Sequence, residues 1–207
     1  MKDELVALIA TRHSIRRFSE QEVPASVVRE LLEQALRAPS AHNRQPWRFV
    51  AVGRGDARSR MVRAMADRFA HDLSTDGVSG EEAARRLERG RERILSAPVL
   101  IVLCMTMEDM DRYADAMRND AERTMSTQSV ALAAGHILLS AHARGLGACW
   151  LCGPLFAQEE VRRSLGLPEA WEPQGALVIG YPAEEPRMTA RRAVDEVCLF
   201  LESDGGK

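Results

Sequence analysis

Residues Ala97 to Met105 read APVLIVLCM, an uninterrupted apolar run bounded by proline. A run of that length without polar alternation predicts a central strand, not a half-exposed one. Trp47 to Gly53, Gly147 to Leu151 and Gly175 to Tyr181 read as further strands, and Val197 to Leu201 as a last strand beyond an arginine-rich loop. Between them lie helical patterns. The first ten residues place Leu5, Val6, Leu8 and Ile9 in a short amphipathic helix, and Ser26 opens a second with Val27, Val28, Leu31 and Leu32 on one stripe. That helix is expected to end at Pro39, because the residue before a proline is pushed out of the helical region. A charged helical stretch from Ala57 to Ser96 is broken by the Asp76-Gly77 turn and Gly80. A short helix near Glu159 to Leu165 joins two of the strands. Thr127 to Ala143 has few polar positions and many small ones, so burial on most sides is expected. No second partner for so apolar a helix is evident in the chain, which makes a dimer the expectation. The alternation of helices and strands predicts one α+β domain over residues 1–207 around a central sheet.

Composition narrows the classes. At 207 residues, 45% apolar and 28% charged, the chain can bury a full core without staples. A net charge of −2 argues against a general nucleic-acid binder. No apolar run is long enough to span a membrane, and the acidic N-terminus does not read as a signal peptide, so a soluble, cytoplasmic protein is expected. Four scattered cysteines do not make a disulfide framework.

Three segments could carry chemistry. In Arg12-His13-Ser14-Ile15-Arg16, two guanidiniums and a hydroxyl alternate, so an extended backbone would present them on one side to a phosphate. A solvated basic loop is the plainer alternative. Between Pro39 and Pro46, Ser40, Asn43 and Gln45 form a polar loop whose amides and hydroxyl suit a neutral hydrogen-bonding heterocycle. The same loop could equally be a helix-to-strand connection in which Asn43 caps its own backbone. Cys149-x-x-Cys152 invites a zinc or redox reading, but no second ligand pair follows at the spacing zinc requires, and on a strand the two thiols would point to opposite faces. Structural cysteines are favoured and no metal site is expected. His136 and His142 fall on different faces of one helix, and His71 lies among charges. Neither a phosphate-binding Gly-x-x-x-x-Gly-Lys loop nor a Gly-x-Gly-x-x-Gly turn is present.

Taken in order, these segments resemble the flavin-dependent nitroreductase family. The resemblance covers nearly the whole chain and rests on Arg12 to Arg16 with Phe18, Ala38 to Trp47, Gly145 to Trp150, Gly180-Tyr181-Pro182 and Arg191-Arg192. It implies a nitroreductase-like α+β fold with a mostly antiparallel central sheet flanked by helices, in an interlocked homodimer with two FMN sites at the interface. By that resemblance Arg12, Ser14 and Arg16 hold the FMN phosphate together with Arg192, and His13 lies beside the ribityl chain. Ser40, His42 and Asn43 reach the partner's flavin ring, and Gly153 approaches the ring through its backbone. The cofactor would carry hydride from NAD(P)H or a reduced deazaflavin to an acceptor, so no catalytic acid or base is named.

Within the family, Met65 to Leu73, Arg86 to Gly90, Asp120 to Met125 and Leu167 to Pro173 resemble the C-terminal reductase domain of the bifunctional protein that makes coenzyme F-420. That resemblance implies reduction of the dehydro precursor of this deazaflavin, with Asp72 contacting the substrate. No ligase domain precedes the chain, implying a stand-alone reductase. The loop Ser40 to Trp47 reads closer to ordinary nitroreductases. A broad NAD(P)H-dependent nitro or quinone reductase and a non-catalytic flavin-binding protein are the alternatives.

Overall fold

A computed structural model of the chain describes residues 2–183, 185 and 189–201. The apolar run forms β2 (Val99–Met105), buried along its whole length, and it pairs antiparallel with β1 (Trp47–Val52). On its other side β2 pairs antiparallel with β4 (Glu172–Gly180), which in turn pairs antiparallel with β3 (Gly147–Leu151). The sheet order is therefore β1-β2-β4-β3.

Strand alternation divides the core into two layers. Val99, Ile101, Leu103 and Met105 face one layer, with Leu177 and Ile179 of β4 beside them. Leu100, Val102 and Cys104 face the other, with Ala176 and Val178. The first layer is closed by α2 (Ala25–Ala35) and α5 (Ala116–Ala143), through Leu31, Val130, Ala134 and Ile137. The second is closed by α3 (Asp56–Thr75), α4 (Gly80–Leu95) and α7 (Gln158–Leu165), through Met61, Met65, Ile94 and Val161. The short α1 (Lys2–Thr11) touches α5, and α6 (Gly153–Phe156) caps the end of β3.

Arg58 on α3 is only 1% exposed, and its fork ties three elements together. It donates to the carbonyls of Val52 at the end of β1 and Ala97 just before β2, both at 2.5 Å, and to Ile94 of α4 at 3.4 Å.

Several expectations need correction. Val197 to Leu201 is not a strand: it is irregular and exposed, with Leu199 81% and Leu201 84% accessible. A strand needs a neighbour to take its backbone hydrogen bonds, and among the described residues none lies beside this segment. The helix expected from Thr127 begins at Ala116 instead, because its polar first half buries Glu122 and Ser126. Its opposite side is open, with Leu132 48% exposed, so burial on most sides is not reached within one chain. β4 starts at Glu172, three residues earlier than expected, and runs through Pro173. A register shift between Leu103 and Cys104 of β2 accommodates the residue that cannot donate to the ladder.

Candidate functional site

The segment following α1 lies along the free edge of β3. Ser14 bridges Ala148 in parallel fashion, and the Ile15 amide donates to the Ala148 carbonyl at 3.1 Å. Gly147 permits this approach: a Cβ there would stand 2.6 Å from Ile15 Cβ. Further on, Phe18 bridges Pro182, and the Ser19 amide donates to the Tyr181 carbonyl at 2.9 Å. The segment is thus pinned at both ends, and the arginines between them project from a fixed backbone.

Two adjoining cavities result. The first, about 520 Å³, is polar and gathers Arg16, Arg17, Arg89, Arg93 and Arg191 beside His13 and Ser14. The second, about 780 Å³, lies between the α3–α4 pair and the end of β3. Its walls include Met65, Phe69, Trp150 and Phe156, with Gly153 and Asp72 also at its surface. Arg16 and Arg93 line both, so one end of the apolar space is edged by guanidiniums. Such an arrangement suits a flat apolar body bearing an anionic tail. At Gly153 a Cβ would come within 2.8 Å of Met65 Cε, so the glycine keeps the wall clear.

The expected residues are divided by the fold. His13, Ser14 and Arg16 share the polar cavity, whereas Arg12 lines a separate small cavity of about 190 Å³ with Thr11 and His142. The three side chains are thus divided between two cavities, and the segment that carries them bridges β3 at a single residue, Ser14. Arg191 lines the polar cavity; Arg192 is exposed and does not. Asp72 lines the apolar cavity, its carboxylate accepting from Arg68 Nε at 3.0 and 3.1 Å. That bond, more than the ion-pair attraction, raises the guanidinium's affinity for its proton.

Ser40, His42 and Asn43 lie elsewhere. They precede β1, at the opposite edge of the sheet from β3, roughly 14 Å away across three strand spacings. The loop is held internally. Ser40 Oγ accepts from the Gln45 amide at 3.0 Å, and Ser129 Oγ of α5 accepts from the Ala41 amide at 3.3 Å. His42, Asn43 and Gln45 all have left-handed backbone, with φ of 48°, 53° and 51°. Three non-glycine residues in that region within four positions is rare and marks a conformation imposed by the surroundings.

Cys149 is buried in the second core layer and Cys152 is exposed just beyond the strand; both are free thiols. Among the described residues no group of three or more His, Cys, Asp and Glu is gathered as a metal site requires, and no helix is long and apolar enough to cross a membrane. Arg93 of α4 was not singled out from the sequence, and Arg89 only within the segment Arg86 to Gly90, with no role at the site. Their spacing of four on a helix was the available signal, hidden within a charged stretch that reads as solvated.

Comparison with known proteins accords with this geometry. The chain is 32% identical to a Thermus thermophilus protein named NADH dehydrogenase, over 91% of this chain and 92% of that one. Its fold matches a candidate nitroreductase from Desulfovibrio desulfuricans solved in complex with FMN (26% identity, TM-score 0.73, 96% and 97% of the two chains). It also matches a BluB-like flavoprotein from Clostridium difficile (25% identity, TM-score 0.81, 96% and 99%). The nitroreductase family pattern itself matches residues 9–181, from the end of α1 through the last strand, and the chain belongs to that family.

Proposed function

We propose that this protein is an FMN-dependent oxidoreductase that takes hydride from a reduced nicotinamide and passes it to a nitroaromatic or quinone acceptor. The observation that carries the reading is the polar, guanidinium-lined cavity opening into an apolar one beside Gly153. The residues present fit the cofactor. A phosphate dianion suits Arg16 with Ser14 and Arg191, and the apolar cavity lies within the size range of small-molecule sites. The name of the Thermus thermophilus relative supports a nicotinamide donor.

When bound, FMN supplies the hydride-transfer chemistry. The chain supplies position and surroundings. Arg16, edging both cavities, fixes the anionic tail at one end. Met65, Phe69 and Phe156 wall the apolar space and exclude water from it, and the bare backbone of Gly153 allows close approach to a flat ring. His13 lies beside the polar cavity, where the ribityl chain would pass. Arg12 and Arg192, both outside the cavity lining, join the phosphate only if their side chains swing towards it.

Ser40, His42 and Asn43 serve the site of a partner subunit in this reading, which requires a homodimer. Apolar side chains exposed in one chain support it: Leu5, Val6 and Ile9 on α1, Leu132 on α5, and the tail from Val197 to Leu201. Light scattering on the purified protein should give twice the chain mass. A deazaflavin precursor as acceptor is a second reading, favoured by the place of Asp72 on the apolar cavity and by the resemblance of the central segments to the coenzyme F-420 reductase domain. Turnover assays with the deazaflavin precursor and with nitroaromatics separate the two, and absence of turnover with either would leave a flavin-binding protein.

The test of the shared premise is direct. The purified protein should carry a yellow chromophore that heat releases as FMN. Arg16→Glu replaces attraction by repulsion at the phosphate and should weaken FMN binding at least tenfold, about 1.4 kcal/mol or more. Wild-type occupancy in that variant would refute the phosphate assignment.

A further inference from the structure

Helix α4 carries five arginines, and Arg86, Arg89 and Arg93 recur along one side at intervals of three and four. This side faces the site. Arg86 lines the apolar cavity, Arg89 the polar one, and Arg93 both. Gly90 stands among them and also lines the apolar cavity. Glycine is a poor residue for a helix interior, yet among the described residues nothing beyond its chain neighbours and the helix's own backbone lies within 4 Å of where a Gly90 Cβ would be. Packing within the chain therefore does not demand it. What the missing side chain provides is a gap in the row of guanidiniums, open to the cavity.

Guanidiniums also outnumber carboxylates there: among the described residues lining the polar cavity are five arginines and two carboxylates, Glu92 and Glu185. Along α4 a single carboxylate, Glu82, accepts from Arg86 at 2.7 Å and lies 3.9 Å from Arg89. Its proton affinity is held down chiefly by the bonds from Arg86 and Arg85. Among the described residues Arg93 has neither hydrogen bond nor ion pair.

We propose that the face of α4 formed by Arg86, Arg89, Gly90 and Arg93 docks the phosphates of the hydride donor, a nicotinamide dinucleotide. The inference rests on the FMN reading above, since it needs a second anion beside the one that Arg16 holds. Guanidiniums bind phosphate through paired N–H groups, and the gap at Gly90 lets the dinucleotide backbone lie close to the helix.

The test uses the FMN-loaded enzyme with Arg86→Gln and Gly90→Leu, at two residues outside the polar cavity. Calorimetric titration with NAD and NADP, both inert towards the oxidised enzyme, should show affinity falling about tenfold in Arg86→Gln while bound FMN stays at the wild-type level. Gly90→Leu should lower it similarly, with unchanged helical circular dichroism. A larger loss for NADP than for NAD assigns the contact to the 2′-phosphate, and an equal loss to the pyrophosphate. Anaerobic reduction by 1-benzyl-1,4-dihydronicotinamide, which has no phosphate, should stay within twofold of wild type. Unchanged dinucleotide affinity in Arg86→Gln, or an equal loss with the benzyl donor, would overturn the inference. So would a loaded wild type that binds neither dinucleotide. Wild-type protein that takes up no FMN would instead overturn the function proposed above.

Discussion

Replacing Arg58 by methionine sets two large effects against each other. The guanidinium is buried without a carboxylate, held only by carbonyl oxygens, and its Nε has no partner among the described residues. Burial, helped by the nearby charge of Arg54 and opposed by Glu22, brings its pKa down from the ordinary guanidinium range to about 10. That corresponds to about 3 kcal/mol of cost for keeping the charge inside. Methionine removes this cost but leaves the Val52 and Ala97 carbonyls buried and unbonded, at about 1–3 kcal/mol each, and also opens some space. The balance favours arginine by about 1–2 kcal/mol, which for a chain of this length lowers the melting temperature by about 3–6 °C. Arg58→Lys keeps the buried charge without the fork that bridges both carbonyls, so it should be less stable than the methionine variant. Scanning calorimetry at neutral pH should therefore rank wild type above Met and Met above Lys. The pH dependence has a definite sign. The folded state loses this proton before the unfolded state does, so the wild type gains on the methionine variant as pH rises past about 10. A methionine variant as stable as the wild type would refute the reasoning, for it would mean that the carbonyls find other partners.

Gly147→Val should place a Cβ against the root of Ile15 and push the arginine segment off the edge of β3. FMN affinity, measured by fluorescence titration, should fall at least tenfold, and equal affinity would show that the pinning is unimportant. His142, whose Nε2 pairs with Thr11 Oγ1 at 2.9 Å, has its pKa lowered from 6.5 by burial first, then by Arg12 and His13. The unfolded chain therefore takes up this proton first, and stability should decline as pH falls through about 6.5. His142→Gln should flatten that decline in urea titrations at a series of pH values; an unchanged slope would assign it to other groups.

Where burial follows a simple period, the fold could be read from the residues. The apolar run at 97–105 gave β2, and the glycines and Asp76-Gly77 separated α3 from α4. Legibility failed where tertiary contacts override local pattern. Glu122 and Ser126 look like surface residues yet are buried in α5, and Pro173 looks like a strand terminator yet sits inside β4 opposite a register shift. Val197 to Leu201 has the composition of a strand but no strand beside it among the described residues. Ser14, Arg16, Gly153 and Asp72, named from an ordered series of motifs, lie on the walls of the two cavities. The α4 arginines had no place assigned there, because a cavity-facing arginine and a solvated one are identical in sequence, and only the packing of α4 against the end of β3 distinguishes them.

The left-handed turn of His42, Asn43 and Gln45 constrains how this stretch can vary over evolutionary time. Valine, isoleucine and threonine fit that backbone badly at all three positions, whatever their chemistry towards a ligand. Drift there should favour asparagine, aspartate, histidine or glycine even in descendants that change acceptor. Because the folded chain already holds the bend, these side chains have fixed directions, and in the function proposed above a ligand that reached them would lose little entropy in ordering them.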